Sequence, residues 1–126
     1  MIHLDTCVLV EILDNGDRMG DINRVLSNMP ANEVLTYSAV THFEILQAGG
    51  LFRLENVHIL EHMHLLPVDK SVAEKAAEIY GRYLGGNRRR IPDALIAATA
   101  LVFREKLWTF DSDFKKIPGL SLLQAK

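Results

Sequence analysis

The sequence predicts an α/β domain: a three-layer α/β/α arrangement with a central, mostly parallel sheet. Three observations predict it. Short apolar segments alternate with longer stretches of helical periodicity along the whole chain, the order that covers a parallel sheet with helices on both faces. A chain of 126 residues with 48% hydrophobic composition can bury one such core, so residues 1–126 read as a single domain. Carboxylates interrupt the apolar sequence where strands end or helices begin, and in α/β folds those ends gather on the rim where ligands bind.

Taken in order, Met1-Ile-His-Leu-Asp5 reads as a buried first strand. Thr6 or Asp5 then caps a helix through Val8, Leu9, Ile12 and Leu13, which Asn15-Gly16 stops. A second helix spans Met19 to Asn28 and ends before Pro30. Glu33 to Tyr37 reads as the second strand, and Ser38 starts a helix carrying Val40, Phe43, Glu44 and Leu46 before Gly49-Gly50. Leu51 to about His64 continues helical, and Leu65 to Val68 is a short strand. Ser71-Val-Ala-Glu74 has the form of a capping box opening a helix with Val72, Ala76, Ile79, Tyr80 and Tyr83 on its apolar side. Pro92 suits the first turn of the next helix, which runs to about Arg104 and is apolar almost all round, as a central packed helix must be. Leu107 to Thr109 makes a fourth strand and Leu120 to Leu123 a fifth.

Composition removes some function classes. No apolar run reaches the ~18 residues of a membrane-spanning helix and Asp5 interrupts the only place for a signal peptide, so the chain reads as soluble and cytoplasmic, with no membrane partner. One cysteine, Cys7, allows neither an internal disulfide nor a Cys-based zinc cage. Its neighbours Val8, Leu9 and Val10 predict a small buried thiol rather than a nucleophile. Charge is uneven: residues 1–63 hold 3 Lys/Arg against 9 Asp/Glu, and residues 64–126 hold 11 against 7. An acidic partner such as RNA would meet the second half, where Arg88, Arg89 and Arg90 precede Asp93 and Lys115-Lys116 follow Asp113.

Four acidic segments carry the chemistry: Asp5, Glu44, Asp93 and the pair Asp111/Asp113. Two unit charges about 4 Å apart repel by roughly 4 kcal/mol at an effective dielectric near 20, so clustered carboxylates need protons or a divalent cation. Oxygen ligands without a Cys or His cage favour Mg²⁺ or Mn²⁺, and Mg²⁺ pairs one or two carboxylates with substrate phosphate. Each acid also has a structural reading: Asp5 as a helix cap worth about 1 kcal/mol, Asp93 as a first-turn charge, Glu44 as a surface residue, Asp111 or Asp113 as a turn residue. Asp93 heads a nearly all-apolar helix, where a charge must be paired or metal-bound. Thr6, Thr109 and Ser112 are candidates to orient carboxylates, bind a metal water or contact substrate, or else are local caps.

The order and context of these segments resemble the PIN-domain nucleases, and within them the small VapC-type toxins. Asp5-Thr6, Glu44-Ile45, Pro92-Asp93-Ala-Leu-Ile-Ala-Ala and Thr109-x-Asp111-x-Asp113-Phe114 followed by Ile117-Pro118-Gly119-Leu120 match the family pattern in order and approximate spacing. Cys7 departs from it, standing where the family often has a polar residue such as Asn. The resemblance implies a Mg²⁺- or Mn²⁺-dependent endoribonuclease in which Asp5, Asp93 and Asp111 hold the metal, Asp113 supports them, and Glu44 holds a metal or activates water. It also implies products with a 5′-phosphate and a 3′-hydroxyl, a homodimer, and a cognate antitoxin protein whose Arg can pair with the site carboxylates. Arg88, Arg89 and Arg90 are expected to contact RNA phosphates. Phe52, Leu54, Ile59 and Met63 are expected to offer a face to a partner or second protomer, or else to belong to the core.

Two rival readings come from other classes. A non-catalytic acidic metal- or phosphate-binding module, such as a receiver domain, would want a lysine after a late strand, and Lys106 precedes its strand instead. His58-Ile-Leu-Glu61-His62 fits the H-x-x-E-H pattern of zinc peptidases, with His64 nearby, and requires both histidines on one helix face.

Overall fold

The computed structural model describes residues 1–48 and 58–124. Its strands are β1 (Ile2–Leu4), β2 (Leu35–Ser38), β3 (His64–Leu66), β4 (Lys106–Thr109) and β5 (Leu122–Gln124). Its α-helices are α1 (Thr6–Asp14), α2 (Met19–Ser27), α3 (Ala39–Ala48), α4 (Lys70–Tyr83) and α5 (Ile91–Val102). All strand pairings are parallel and the order is β3-β2-β1-β4-β5, with Leu4 paired to both Tyr37 and Trp108. Successive connections leave β1 toward β2 and β3, then return to place β4 and β5 on its other side. The order reverses between β1 and β4, the point at whose strand C-terminal ends α/β folds form their ligand crevice.

Alternation along the strands divides the core in two. Ile2, Leu4, Tyr37 and Trp108 face α1 and α2, joining Val8, Leu9, Leu13 and Ile22. Leu107 belongs to the opposite core, where α4 and α5 pack with Val72, Ala76, Ile79, Ile96, Ala97 and Phe114. The small residues of α5, Ala94, Ala97, Ala98 and Ala100, are all buried, which lets this helix lie close against sheet and neighbour at once.

Local details differ from the periodicity reading for identifiable reasons. The helix at residue 70 opens on Asp69, whose carboxylate accepts from Val72 N–H at 3.0 Å, so the Ser71–Glu74 capping box does not form. Ser38 both ends β2 and starts the next helix, its hydroxyl capping α3 by accepting from Val40 N–H at 3.0 Å. The third strand is His64–Leu66, one residue earlier than expected and shorter. Of the stretch expected to be helical from Leu51, residues 51–57 lie outside the described residues, and His58–His62 is a 3₁₀ turn. With three residues per turn, positions i and i+4 do not share a face, so His58 and His62 are not arranged as zinc ligands. Among the described residues no helix is long and apolar enough to cross a membrane.

Candidate active site

Asp5 stands at the end of β1 and in the N-cap position of α1, yet its side chain makes no capping bond. Its Oδ2 instead accepts from the Thr109 hydroxyl at 2.7 Å and from Cys7 Sγ at 3.3 Å. The cap reading of Asp5 is therefore replaced by a bond across the β1/β4 crevice. Thr109, fully buried at the end of β4, also accepts from Asp111 N–H at 3.0 Å, which fixes the turn carrying the late acids. Asp111 Oδ1 accepts from Asp113 N–H at 2.9 Å, a local turn that points the two carboxylates along one short 3₁₀ segment, Ser112–Lys116. Asp111 is the less exposed of the pair, and Ser112 is exposed on the same turn.

Glu44 arrives from α3 and is held by the Thr6 hydroxyl, which Thr41 braces in turn, contacts that sequence reasoning did not connect. Thr6 donates its single proton to Glu44 Oε1 at 2.8 Å, so the 2.8 Å contact between Thr6 and Thr41 must be a donation from Thr41. Thr41 is fully buried one helical turn before Glu44. Only its i−3 spacing from the acid signalled it. Thr6→Val should lower cleavage about 10-fold, the order of one hydrogen bond to a charged group, whereas Thr6→Ser should retain it. Equal rates in Thr6→Val and wild type would remove Thr6 from this role.

Asp93 enters from the first turn of α5, behind Pro92, and its carboxyl is strongly perturbed. Burial, then the neighbouring Asp5 carboxylate, push its carboxyl up to about 6, against the opposing pull of Arg90, with Asp111 and Glu44 adding to the rise. Asp5 is likewise raised, by burial above all. Carboxylates from β1, α3, α5 and the β4 turn thus share one electrostatic environment.

Arg90 is turned inward. Its Nη1 lies 3.0 Å from Asp111 Oδ2 and 3.2 Å from Asp93 Oδ2, and its Nη2 lies 3.8 Å from Asp113 Oδ2. Of the three arginines expected at RNA phosphates, Arg88 and Arg89 are exposed and Arg90 is committed to the acids. Asn87 sets this turn by accepting from Arg89 N–H at 3.0 Å. Cys7 is exposed rather than buried, and its thiol is pushed up to about 12, by burial of the sulfur's surroundings first and by Asp5 second, so it serves as a donor to Asp5 and not as a thiolate.

The donor set suits a hard divalent cation: oxygens only, mutually repelling, and already drawing one positive group. Among the described residues no three His, Cys, Asp or Glu side chains are prearranged to hold a metal ion. The acid oxygens are engaged with Arg90, Thr109, Cys7 and Thr6 instead.

Acidic segments gathered where the strand order of a parallel sheet reverses put the candidate site where α/β folds bind their ligands. The chain belongs to the PIN domain family, whose pattern matches residues 2–120. Members of that family are nucleases that generally depend on divalent metal. No curated protein matches the chain in sequence. Solved structures do match in fold. FitAcB from Neisseria gonorrhoeae is 26% identical with a TM-score of 0.75, over 98% of this chain and 97% of that one. VapBC2 from Rickettsia felis, solved bound to a DNA fragment from its promoter, is 20% identical with a TM-score of 0.77 over the whole of both chains. VapC20 of Mycobacterium tuberculosis, a sarcin–ricin-loop-cleaving toxin, is 21% identical with a TM-score of 0.74 over 98% of each.

Proposed function

We propose that this protein is a Mg²⁺- or Mn²⁺-dependent endoribonuclease and the toxin of a type II toxin–antitoxin pair. The observation that carries this reading is geometric: Asp93, Asp111 and Asp113 lie within 3.8 Å of one guanidinium, Arg90, while the Thr109 hydroxyl joins Asp5 to the turn that carries Asp111. Asp5, Asp93 and Asp111 would hold the cation, with Asp113 farther out. When bound, such a cation polarises the phosphodiester, lowers the pKa of the attacking water and stabilises the leaving oxygen. Glu44, with Oε1 fixed by Thr6, keeps its other oxygen for the proton of that water. The exposed pair Arg88 and Arg89 lies beside Asp93 to position the RNA backbone, leaving a 5′-phosphate and a 3′-hydroxyl after hydrolysis.

The partner reading is supported by the toxin–antitoxin complexes among the structural neighbours and by the surface beside Glu44. Phe43, Leu46, Val68 and Ile91 are exposed there, with Phe43 and Leu46 at 62% and 67%. We assign this apolar surface to a second protomer or the antitoxin. Phe52 and Leu54 lie outside the described residues, and Ile59 and Met63 pack against the core.

Purified protein should cleave single-stranded RNA in Mg²⁺ or Mn²⁺ and stop in EDTA, and a basic protein encoded beside it should co-purify and silence it. Full activity in EDTA would overturn the metal reading. Expression that leaves growth and RNA intact, with no such partner, would overturn the toxin reading. Replacing Arg88 and Arg89 with Ala should weaken RNA binding about equally across sequences and lower the slope of log K against log salt by roughly 1 to 2. An altered cleavage-site preference with an unchanged slope would mean that these residues read bases.

A further inference from the structure

Arg90 is the one positive group inside the acidic crevice that reaches three of its carboxylates among the described residues, and its geometry is unlike that of a permanent structural pair. A guanidinium built for a carboxylate offers two parallel N–H bonds to it. Here a single nitrogen, Nη1, is shared between Asp93 and Asp111, which come from different elements. The second, Nη2, is buried without a hydrogen-bond partner and reaches Asp113 only at 3.8 Å. The guanidinium carbon stands 5.9 Å from the centroid of the Phe114 ring, at the outer limit of a cation–π contact. Nothing at this position satisfies Arg90 fully, whereas its positive charge is what the acids lack.

Backbone placement makes the side chain free to leave. Arg90 ends the turn Arg88–Arg90 and occupies the N-cap position of α5 without a side-chain cap bond, so withdrawing its guanidinium costs its ion pairs with the acids but no capping bond. The side chain is 22% exposed, and the neighbouring Arg88 and Arg89 already stand in solvent. Asp93, by contrast, is anchored in the first turn of α5, and Asp111 is fixed by the Thr109 hydroxyl and the Asp113 N–H. The acids stay and the cation can go.

We propose that Arg90 is an exchangeable internal counter-ion: it occupies the cation position between Asp93 and Asp111 in the metal-free protein, and divalent metal loads by expelling it to the rim beside Arg88 and Arg89. This inference rests on the metal-dependent reading of the site. It explains why the described acids are not prearranged as a metal cage: two of the expected ligands are drawn toward the guanidinium. It also makes Arg90 a regulator of metal affinity, because a competent state populated only fractionally weakens apparent binding by that fraction.

The test uses Mn²⁺ and Mg²⁺ alone, without RNA. Calorimetric titration should show Arg90→Gln binding Mn²⁺ about 10-fold or more tightly than wild type, with Arg90→Lys falling between them because a point charge competes without the fork. Nuclear magnetic resonance of the Arg90 Nε–Hε group in wild type, an arm that needs no variant, should show it shifting and exchanging faster with solvent in proportion to bound Mg²⁺. Simple charge repulsion would tighten Arg90→Gln and shift that signal while leaving its exchange with solvent unchanged, and unchanged exchange at full metal occupancy overturns the proposal. Equal or weaker Mn²⁺ binding by Arg90→Gln overturns it as well. Asp93→Asn separates the two readings: if wild type binds Mn²⁺ and Asp93→Asn does not, the metal site stands whatever Arg90 does, and if wild type binds none, both fail.

Discussion

Asp93→Asn is expected to lower RNA cleavage by at least ~10²-fold, the order lost with one electrostatic catalytic group, and at the same time to make the metal-free protein more stable near pH 7. The two effects share a cause. The Asp93 carboxyl rises from 3.8 to about 6 on folding, chiefly through burial and then through the Asp5 charge. A group raised in this way stabilises the fold fully below its unfolded pKa, and that stabilisation is lost as pH climbs through the folded value. At pH 7 the folded state therefore carries a charge it disfavours. Asparagine keeps the shape and removes the charge, for a gain on the order of 1–3 kcal/mol that should shrink toward zero as pH falls to about 4. Melting curves of both proteins in EDTA at these two pH values, alongside cleavage rates in Mn²⁺, measure it. A variant that still cleaves at the wild-type rate removes Asp93 from the site. A variant less stable than wild type at pH 7 means that its pairing with Arg90 outweighs the repulsion.

Acid should destabilise the protein through a residue buried on the central strand, two positions before Asp5. His3, on β1, is fully buried, and burial holds its imidazole down at about 4, below its ordinary 6.5. The hydrogen bonds assign its tautomer. Thr36 gives its one proton to Glu105 Oε1 at 2.6 Å, so His3 Nδ1–H must be the donor in the 2.8 Å contact with Thr36, and Nε2 is left buried without a partner. Protonation would place a charge at that unpartnered atom. A lowered imidazole pKa means that stability is complete above about 6.5 and drains away as pH falls toward 4, by about 3 kcal/mol in all at 1.36 kcal/mol per unit. Glu105 and Asp5, both raised by burial, act with the opposite sign over the acid range, so the net curve is shallower than the His3 part. The His3 ring proton shifts isolate it: they should stay in the neutral form down to about pH 5, and a midpoint near 6.5 would contradict the burial argument. His3→Leu should flatten the acid limb.

Much of the fold was legible because the signals are local. Alternating apolar segments, the Asn15-Gly16 stop, Pro92 in the first turn of α5 and the apolar circumference of that helix each depend on neighbours within a turn or two, and all appear where periodicity places them. The misplaced boundaries are also local but turn on competition between adjacent caps. Asp69 precedes the helix and Ser71 falls in its first turn, and the residue whose carboxylate reaches Val72 N–H takes the cap position.

The sequence by itself determined the order of strands and helices, the four acidic segments and their place at strand and helix ends, since these follow from periodicity and residue type. Tertiary structure alone decided which side chains those acids meet. Asp5 bonds to Thr109 across 104 positions, Thr6 to Glu44 across 38, and Arg90 to Asp111 across 21. None of these separations carries a period or a cap signal, because each contact exists only once the parallel sheet has placed β1 beside β4 and α3 beside α1. The same closure turned Arg90 away from solvent while leaving Arg88 and Arg89 in it. Three identical residues in a row are indistinguishable in sequence, and only the direction of the backbone turn entering α5 gave one of them to the acids.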